Sequence, residues 1–201
     1  MITIIDYGLG NVLAFKNIYN RLKIPVIIAK TSNDLVGATK LILPGVGSFD
    51  YAMKKLKMSG MCQSIEQLVL EDKIPLLGVC VGMQMLAKSS DEGKLPGLGW
   101  VDAKVRKFSM LNNSILPHMG WNGVRQKAYN GLFKNMQDEA NFYFLHSYYF
   151  DAFKESDIIG VSDYGVNFTC AIQSGNIFGV QFHPEKSHHF GMQLLKNYSD
   201  I

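Results

Sequence analysis

The sequence predicts an α/β fold: a doubly wound, mostly parallel sheet flanked by helices, with additional antiparallel strands. In the first half of the chain, short apolar runs alternate with segments of helical periodicity, the pattern of repeated strand–helix units. From about Gly99 onward, shorter alternating runs follow one another closely, which is typical of strands joined by tight connections. The 201 residues show no linker, repeat or low-complexity segment, so we expect one domain over residues 1–201.

The elements of the first half can be assigned in order. ITIID predicts the first strand, and the next segment carries the apolar stripe of an amphipathic helix, formed by Phe15, Ile18, Tyr19 and Leu22. The runs PVIIAK, KLILPGVG and IPLLGVC are continuously apolar, as in parallel strands that are buried on both faces. Helical patterns cover residues 49–56 and 62–70, between the last two of these strands.

The second half predicts further strands and a closing helix. The strand candidates are WVDAKVRKF, NFYFLHSYYF, DIIGVSDY, NFTCAIQS and NIFGVQFH. The final helix presents one apolar face, formed by Gly191, Leu194, Leu195 and Tyr198. Three strand ends carry unusual residues, PGVGSFD, CVGMQ and HPEKS. Because ligands of open α/β sheets bind beyond the carboxyl ends of the strands, these ends predict a shared site.

Composition and charge argue against several classes of protein. The net charge of +3 is small and the basic residues are scattered, so we expect no nucleic-acid partner. No apolar run approaches the ~20 residues of a membrane span, and the first residues lack a basic leader and a cleavage site. Cys62, Cys80 and Cys170 have unrelated spacings and are expected to be free thiols. These features predict a cytoplasmic protein without a membrane partner.

One cysteine lies in a pattern that suits a nucleophile. The stretch GVCVG, residues 78–82, has the form of an elbow between a strand and a helix, with a glycine two residues to either side of Cys80. The start of a helix favours thiolate, and the backbone N–H of Val81 could donate to an oxyanion. The elbow alone leaves an alternative open, a small buried cysteine in a tight connection.

A histidine and a glutamate near the end of the chain favour the nucleophile. In FGVQFHPEKS, His183 and Glu185 are two residues apart, so in an extended chain their side chains face the same way. Glu185 could then accept from one ring nitrogen and leave the other facing a thiol, the arrangement of a catalytic triad. A strand-end histidine beside a solvated glutamate is the alternative, and the elbow in the same chain weighs against it.

Two other kinds of site are not supported. Gly8 and Gly10 lack the third glycine of a dinucleotide fingerprint, because Leu13 occupies its place. His183, His188 and His189 have no accompanying cysteine or carboxylate set with ligand spacing. We therefore expect no metal and no cofactor, and we expect Cys62 and Cys170 to be packing residues.

The elbow GVCVGMQ and the segment FHPE resemble the class I, triad-type glutamine amidotransferases. The motifs IIDYGLGN, LILPGVGSFD, LPHMGWN, FYFLHSYY and QFHPEKS narrow the resemblance to the family of glutaminase subunits of imidazole glycerol phosphate synthase. The match runs from Ile4 to the last helix. It implies that Cys80 attacks the side-chain amide of L-glutamine and forms a thioester. His183 would transfer protons and Glu185 would orient it.

The resemblance also implies residues that bind the substrate and a partner. Backbone N–H groups of Val81 and of the loop with Val46 and Gly47 correspond to the oxyanion hole. The glutamine-binding positions correspond to Gln84, Glu92, Ser147 and Tyr148; Gln84 could equally be a solvated helix residue. The partner would be a (β/α)8-barrel cyclase that forms a heterodimer with this chain and uses ammonia to make imidazole glycerol phosphate and AICAR in histidine biosynthesis. The interface would include Lys186, Trp121 and Tyr143, although core burial is an equally good expectation for Trp121 and Tyr143.

Two alternative functions remain open from sequence. Close paralogues supply ammonia for amidino sugars of surface polysaccharides, and none of the motifs excludes that acceptor. A catalytically silent scaffold that only regulates a synthase is the second alternative. The intact Cys80, His183 and Glu185 weigh against the scaffold.

Overall fold

A twelve-stranded mixed sheet organises the protein in the computed structural model, which describes residues 1–109, 115–127 and 131–201. The strands are β1 (Ile2–Ile5), β2 (Val26–Ala29), β3 (Lys40–Gly45), β4 (Leu76–Cys80), β5 (Ser89–Ser90), β6 (Ala103–Lys107), β7 (His118–Gln126), β8 (Glu139–His146), β9 (Tyr148–Ala152), β10 (Ile158–Asp163), β11 (Asn167–Ser174) and β12 (Ile177–Val180). The main path runs β2-β1-β3-β4-β12-β11-β10-β7-β8, with β5, β6 and β9 branching from it. This architecture confirms the predicted fold class.

The helices are α1 (Val12–Arg21), α2 (Phe49–Met58), α3 (Cys62–Glu66), α4 (Val81–Gln84) and α5 (His188–Asp200). The helix predicted over residues 62–70 is α3 followed by one π-helical turn, Gln67–Glu71. In α5, the predicted face is buried, including Leu194, Leu195 and Tyr198. None of the helices in the described part of the chain is both long and apolar enough to span a membrane.

The five strands on one side of the sheet are parallel. β1 lies between β2 and β3, and β4 lies between β3 and β12. Every residue of β1, β4 and β12 is buried, as expected for strands with both faces covered. Because β3, β4 and β12 are neighbours, the three chain segments that follow them leave the sheet at the same edge. The predicted site lies there.

The antiparallel part departs from the prediction at more than one point. β7, a strand of nine residues, is not among the predicted strands, because Gly120, Gly123 and the polar residues around them give it no clear apolar alternation. The run NFYFLHSYYF is two strands, β8 and β9, separated at Ser147. β8 pairs with β7, whereas β9 pairs with β6 and β11, so the chain changes partners at Ser147. His146 stabilises the change of direction, because its ring nitrogen Nδ1 lies 2.8 Å from the carbonyl oxygen of Tyr148.

Candidate functional site

Cys80 is held at the turn from β4 into α4 in a backbone conformation that L-residues rarely adopt. Its φ is 55° and its ψ is −113°, a region that costs a non-glycine residue about 1–3 kcal/mol. The flanking glycines permit close backbone contacts. A Cβ on Gly82 would lie 1.9 Å from the carbonyl oxygen of Leu43, and one on Gly78 would lie 2.8 Å from that of Gly82. The structure therefore places Cys80 at an elbow that side chains at positions 78 and 82 would destroy.

The helix after Cys80 is shorter than the sequence suggests. α4 is a single turn of four residues, Val81–Gln84. So short a helix has few aligned peptide dipoles, and the expected support for a thiolate from the helix start is correspondingly small. A side chain, His183, also interacts with Cys80, both through its charge and through a hydrogen bond.

His183 lies between Cys80 and Glu185. Its Nδ1 is 2.9 Å from a carboxylate oxygen of Glu185, which leaves the other ring nitrogen for the Cys80 sulfur. The side chains of His183 and Glu185 are only 3% and 2% exposed. The backbone departs from the extended form expected here, because Pro184–Lys186 is a 3₁₀ turn, and this turn folds the carboxylate back onto the ring.

The charges of this site reinforce one another. Burial lowers the pKa of His183, since it penalises the charged ring. The charge of a Cys80 thiolate, its hydrogen bond with the ring, and the Glu185 carboxylate together outweigh burial and raise the pKa of His183 to about 10. A thiolate at Cys80 would thus have an imidazolium beside it, the pair that a cysteine nucleophile requires.

A cavity of about 330 Å³ opens beside the Cys80 sulfur. Nine residues predicted for the site line it: Val46, Gly47, Cys80, Val81, Gln84, Glu92, Ser147, Tyr148 and His183. Three residues that sequence reasoning missed complete the wall: Pro117, Leu145 and His146. The lining includes Val46 and Gly47, which follow β3, and Cys80, which ends β4, so the cavity occupies the expected edge of the sheet.

Gln84 and Glu92 are tied to the backbone of the cavity wall. Gln84 is 3% exposed, so it is not a solvated helix residue. Its Nε2 donates to the carbonyl oxygen of Tyr148 and to Oε1 of Gln181, each at 3.0 Å. Glu92 accepts the backbone N–H of Phe49 through Oε2 at 2.8 Å. Its carboxylate therefore contacts the first residue of α2, just after the loop that holds Val46 and Gly47.

Gln181 is a polar contact of the nucleophile that sequence reasoning missed. It is fully buried, and its Nε2 lies 3.8 Å from the Cys80 sulfur. The carbonyl oxygen of Leu145 lies 3.9 Å from the same sulfur. A signal for Gln181 was present, since a glutamine two residues before His183 faces the same way in an extended chain.

The three predicted interface residues lie together on an exposed face. Trp121 and Tyr143 are cross-strand partners in β7 and β8, with ring centroids 6.1 Å apart. The Lys186 ammonium lies 5.6 Å from the Tyr143 ring centroid. Trp121 is 50% exposed, so core burial does not explain it. Its other neighbour is the ring of His188, stacked at 5.1 Å.

The remaining candidates have ordinary surroundings. Within the described ranges, no three His, Cys, Asp or Glu residues are grouped in a way that could hold a metal ion. Cys170 is fully buried and Cys62 is half-buried, and burial raises the pKa of both thiols. Both cysteines are free, and their burial fits the packing role expected of them.

Comparison with known proteins agrees with this geometry. The profile of the family described as "Glutamine amidotransferase class-I" matches residues 3–199. A relative from Bdellovibrio bacteriovorus, named imidazole glycerol phosphate synthase subunit HisH, is 56% identical over 204 residues, with all of both chains covered. One of the same name from Leptospira interrogans is 51% identical over 204 residues, again with all of both chains covered.

Solved structures show the same fold at low sequence identity. One, described as the crystal structure of a glutamine amidotransferase, superposes with a TM-score of 0.76 at 19% identity and covers 98% of both chains. The family profile covers residues 3–199 and the two relatives cover the full chain, so both include the elbow at Cys80 and the sheet around it. This chain belongs to the class I glutamine amidotransferases.

Proposed function

We propose that this chain is the ammonia-releasing subunit of an imidazole glycerol phosphate synthase, with Cys80 as its nucleophile. The observation that carries the proposal is the contact of Cys80, His183 and Glu185 at the edge of one cavity. The full-length relatives named as subunits of that synthase support the assignment of the acceptor pathway, histidine biosynthesis.

The first half of the reaction forms a thioester. The Cys80 thiolate attacks the side-chain amide carbon of glutamine, and the carbonyl oxygen becomes an oxyanion. Backbone N–H groups of Val81, Val46 and Gly47, which border the cavity, stabilise that charge. The His183 imidazolium then gives its proton to the amide nitrogen, the carbon–nitrogen bond breaks, and ammonia leaves.

The second half hydrolyses the thioester. His183, now neutral, removes a proton from water, and the hydroxide adds to the thioester carbonyl. Collapse of this intermediate expels the Cys80 thiolate and releases glutamate, which restores the starting charges. Glu185 keeps the ring oriented throughout, because it binds Nδ1 and leaves the opposite nitrogen toward the sulfur.

Glutamine is recognised by polar groups that line the cavity. Glu92 supplies a carboxylate for the α-ammonium group, and the backbone of Ser147 and Tyr148, which also lines the cavity, supplies further polar groups. Gln84 acts through the backbone, since its Nε2 is already occupied by the Tyr148 carbonyl and by Gln181.

The partner is a (β/α)8-barrel cyclase that binds around the mouth of the cavity, as a heterodimer in the cytoplasm. Apolar side chains are exposed there: Val46 and Leu145 line the cavity and are 40% and 38% exposed. Met119 pairs with Leu145 across β7 and β8 and is 64% exposed. Together with Trp121, these residues form an apolar rim that a partner would bury.

The test is glutamate formation by the chain mixed with candidate cyclase barrels, with and without each acceptor nucleotide. We expect release of glutamate with the histidine-pathway cyclase, and rescue of a histidine auxotroph that lacks its own subunit. Cys80→Ala should abolish glutamate release and leave partner binding intact. Glutamate release by Cys80→Ala would contradict the mechanism, and failure of rescue with a matched cyclase would point to the sugar acceptor.

The interface has its own control. Trp121→Ala should weaken binding of the cyclase by about tenfold or more, because exposed aromatic residues dominate such interfaces. Val36→Ala, at a side chain 80% exposed elsewhere on the surface, should leave binding unchanged. Equal affinity of Trp121→Ala and the unmodified chain would contradict this placement of the partner.

A further inference from the structure

Two buried histidines have no part in the chemistry above. His118 and His146 are directly opposite each other in the ladder of β7 and β8, in the motifs LPHMGWN and FYFLHSYY. They are 3% and 6% exposed. Nδ1 of His118 lies 2.9 Å from Nε2 of His146, and Nδ1 of His146 lies 2.8 Å from the carbonyl oxygen of Tyr148.

The direction of these two hydrogen bonds follows from the group at one end of the series, the Tyr148 carbonyl. The Tyr148 carbonyl can only accept, so Nδ1 of His146 carries the proton. Burial lowers the pKa of His146 to about 3, so its ring is neutral and Nε2 is an acceptor. His118 must therefore donate from Nδ1 to His146.

The group at the other end of the series, the Asn122 amide, gives the same direction independently. The Asn122 amide is oriented by two backbone groups: Nδ2 donates to the Asp163 carbonyl at 2.8 Å, and Oδ1 accepts the N–H of Gly123 at 2.8 Å. Nδ2 also lies 3.1 Å from Nε2 of His118, which must accept. Burial lowers the pKa of His118 to about 4, consistent with a neutral ring that donates only from Nδ1.

The His118 ring is clamped in place by its neighbours. It stacks between Tyr164, with ring centroids 4.0 Å apart, and Phe144, at 4.8 Å. A ring held in this way cannot rotate to another partner without breaking both stacks. The hydrogen bonds that run from Asn122 through His118 and His146 to Tyr148 thus have one direction and one geometry.

We propose that His118 and His146 are a positioning pair, which fixes the Tyr148 carbonyl and with it the Ser147–Tyr148 backbone that binds glutamine. The proposal rests on the proposed function, since it assigns these histidines to substrate binding. His146 borders the cavity, and the segment that it holds is where the chain changes from β8 to β9. Without the pair, one side of this turn would lose its anchor.

The same carbonyl connects the pair to the nucleophile. Gln84 also donates to the Tyr148 oxygen, and it donates to Gln181, whose amide lies 3.8 Å from the Cys80 sulfur. The carbonyl therefore receives two donors on fixed side chains, which prevents the peptide from flipping. The wall that binds glutamine and the nucleophile are joined through hydrogen bonds of buried groups.

The test compares variants that keep or remove the donor. In His118→Asn and His146→Asn, the amide nitrogen lies near the place of Nδ1 and can still donate; in His118→Leu and His146→Leu no donor remains. Steady-state glutamate release is measured in the complex with the cyclase. We expect both Leu variants to raise KM for glutamine about tenfold with kcat within about threefold, the effect of one lost hydrogen bond to a buried group. The Asn variants should restore KM to within about threefold of the unmodified chain.

Ser162→Ala is the matched control. It removes another buried hydrogen bond to β7, from the Ser162 hydroxyl on β10 to the Gly123 carbonyl at 2.7 Å, and neither residue lines the cavity. It should lower thermal stability without changing KM. Should the Leu variants not fold, Asn122→Ala replaces them. It keeps both histidines and removes the donor to His118, together with the two backbone hydrogen bonds of the Asn122 amide, and it should raise KM about threefold.

Several results would overturn the proposal. They are an unchanged KM in a folded Leu variant or in Asn122→Ala, an equal rise in the Leu and Asn variants, or an equal rise in Ser162→Ala. If the unmodified complex releases no glutamate, the proposed function fails. The pair is then judged by ¹⁵N NMR of the unmodified chain at neutral pH, where a proton on Nε2 of either ring refutes it and protons on both Nδ1 atoms support it.

Discussion

The backbone N–H of Phe49 donates to a carboxylate oxygen of Glu92 at 2.8 Å, although the two residues are 43 positions apart. A second contact has the roles exchanged, with a carboxylate on α2 and backbone donors in the loop that contains Glu92. Asp50 accepts the backbone N–H groups of Lys94 and Leu95 at 3.0–3.1 Å. Two carboxylates thus form a clasp that joins the start of α2 to the loop of Glu92, the residue proposed to bind glutamine. Since Gly47 is separated from α2 only by Ser48, the clasp also anchors the proposed oxyanion loop, which contains Val46 and Gly47.

Loss of the clasp should impair the enzyme without removing any group that contacts the substrate. We predict that Asp50→Ala lowers kcat/KM by about tenfold, because two backbone donors lose their acceptor and the loop with Glu92 loosens. The measurement is glutamate release in the complex with the cyclase. Asp102→Ala removes an exposed carboxylate that pairs with Lys88, and it should leave kcat/KM unchanged. Unaltered kinetics of Asp50→Ala would show that the clasp does not position the loop.

The elbow should tolerate no side chain at its second glycine. In Gly82→Ala, the new Cβ would lie 1.9 Å from the Leu43 carbonyl oxygen, and a backbone oxygen within the parallel sheet cannot yield easily. We predict a loss of about 3 kcal/mol in the free energy of unfolding, measured by urea denaturation. Gly131→Ala is the control, because its Cβ would meet Ile201 at an ordinary 3.6 Å. Similar stability of the two variants would contradict the tight fit.

Much of the fold could be predicted because its signals are local. Continuous apolar runs identified the parallel strands, and glycine spacing identified the elbow at Cys80. The apolar face of α5 could also be predicted, since burial of Leu194, Leu195 and Tyr198 follows from helical spacing alone. The triad candidates were found for the same reason, as His183 and Glu185 are close in sequence.

The rest depends on contacts between distant segments. The break at Ser147 lies within an unbroken run of strand-forming residues, so only the choice of pairing partner reveals it. His118 meets His146 because of the register of β7 and β8, which no local pattern specifies. The helix expected after Cys80 is one turn long, and its backbone approaches Leu43 closely at Gly82, a contact between segments that are distant in sequence.

The protonation of His183 should depend on the nucleophile. Its pKa is about 10, so the ring is charged at pH 8; removal of the thiolate charge leaves burial, which lowers the pKa, as the largest influence. We predict that Cys80→Ser makes the ring neutral at pH 8, or protonates it far less, as measured by NMR titration of the ring carbons. Cys62→Ser removes a thiol on α3 and should leave the titration of His183 unchanged. A charged ring at pH 8 in Cys80→Ser would show that Glu185 alone sustains the charge.

Gln181 should matter to the chemical step because its amide is the buried donor beside the Cys80 sulfur. Gln181→Met keeps the length of the side chain but removes the donor at 3.8 Å from sulfur and the acceptor at 3.0 Å from Gln84. We predict that kcat falls about tenfold, the usual effect of one lost hydrogen bond to a charged or buried group, measured as glutamate release at saturating glutamine. Gln193→Met makes the same chemical change on α5, where the amide pairs with Asn197 at 2.8 Å, and kcat should not change. Because Gln181 is fully buried, its variant should also lose stability, so the decisive comparison is kcat at a temperature where both variants are folded. If both retain the kcat of the unmodified chain, the amide fills space beside Cys80 without tuning the nucleophile.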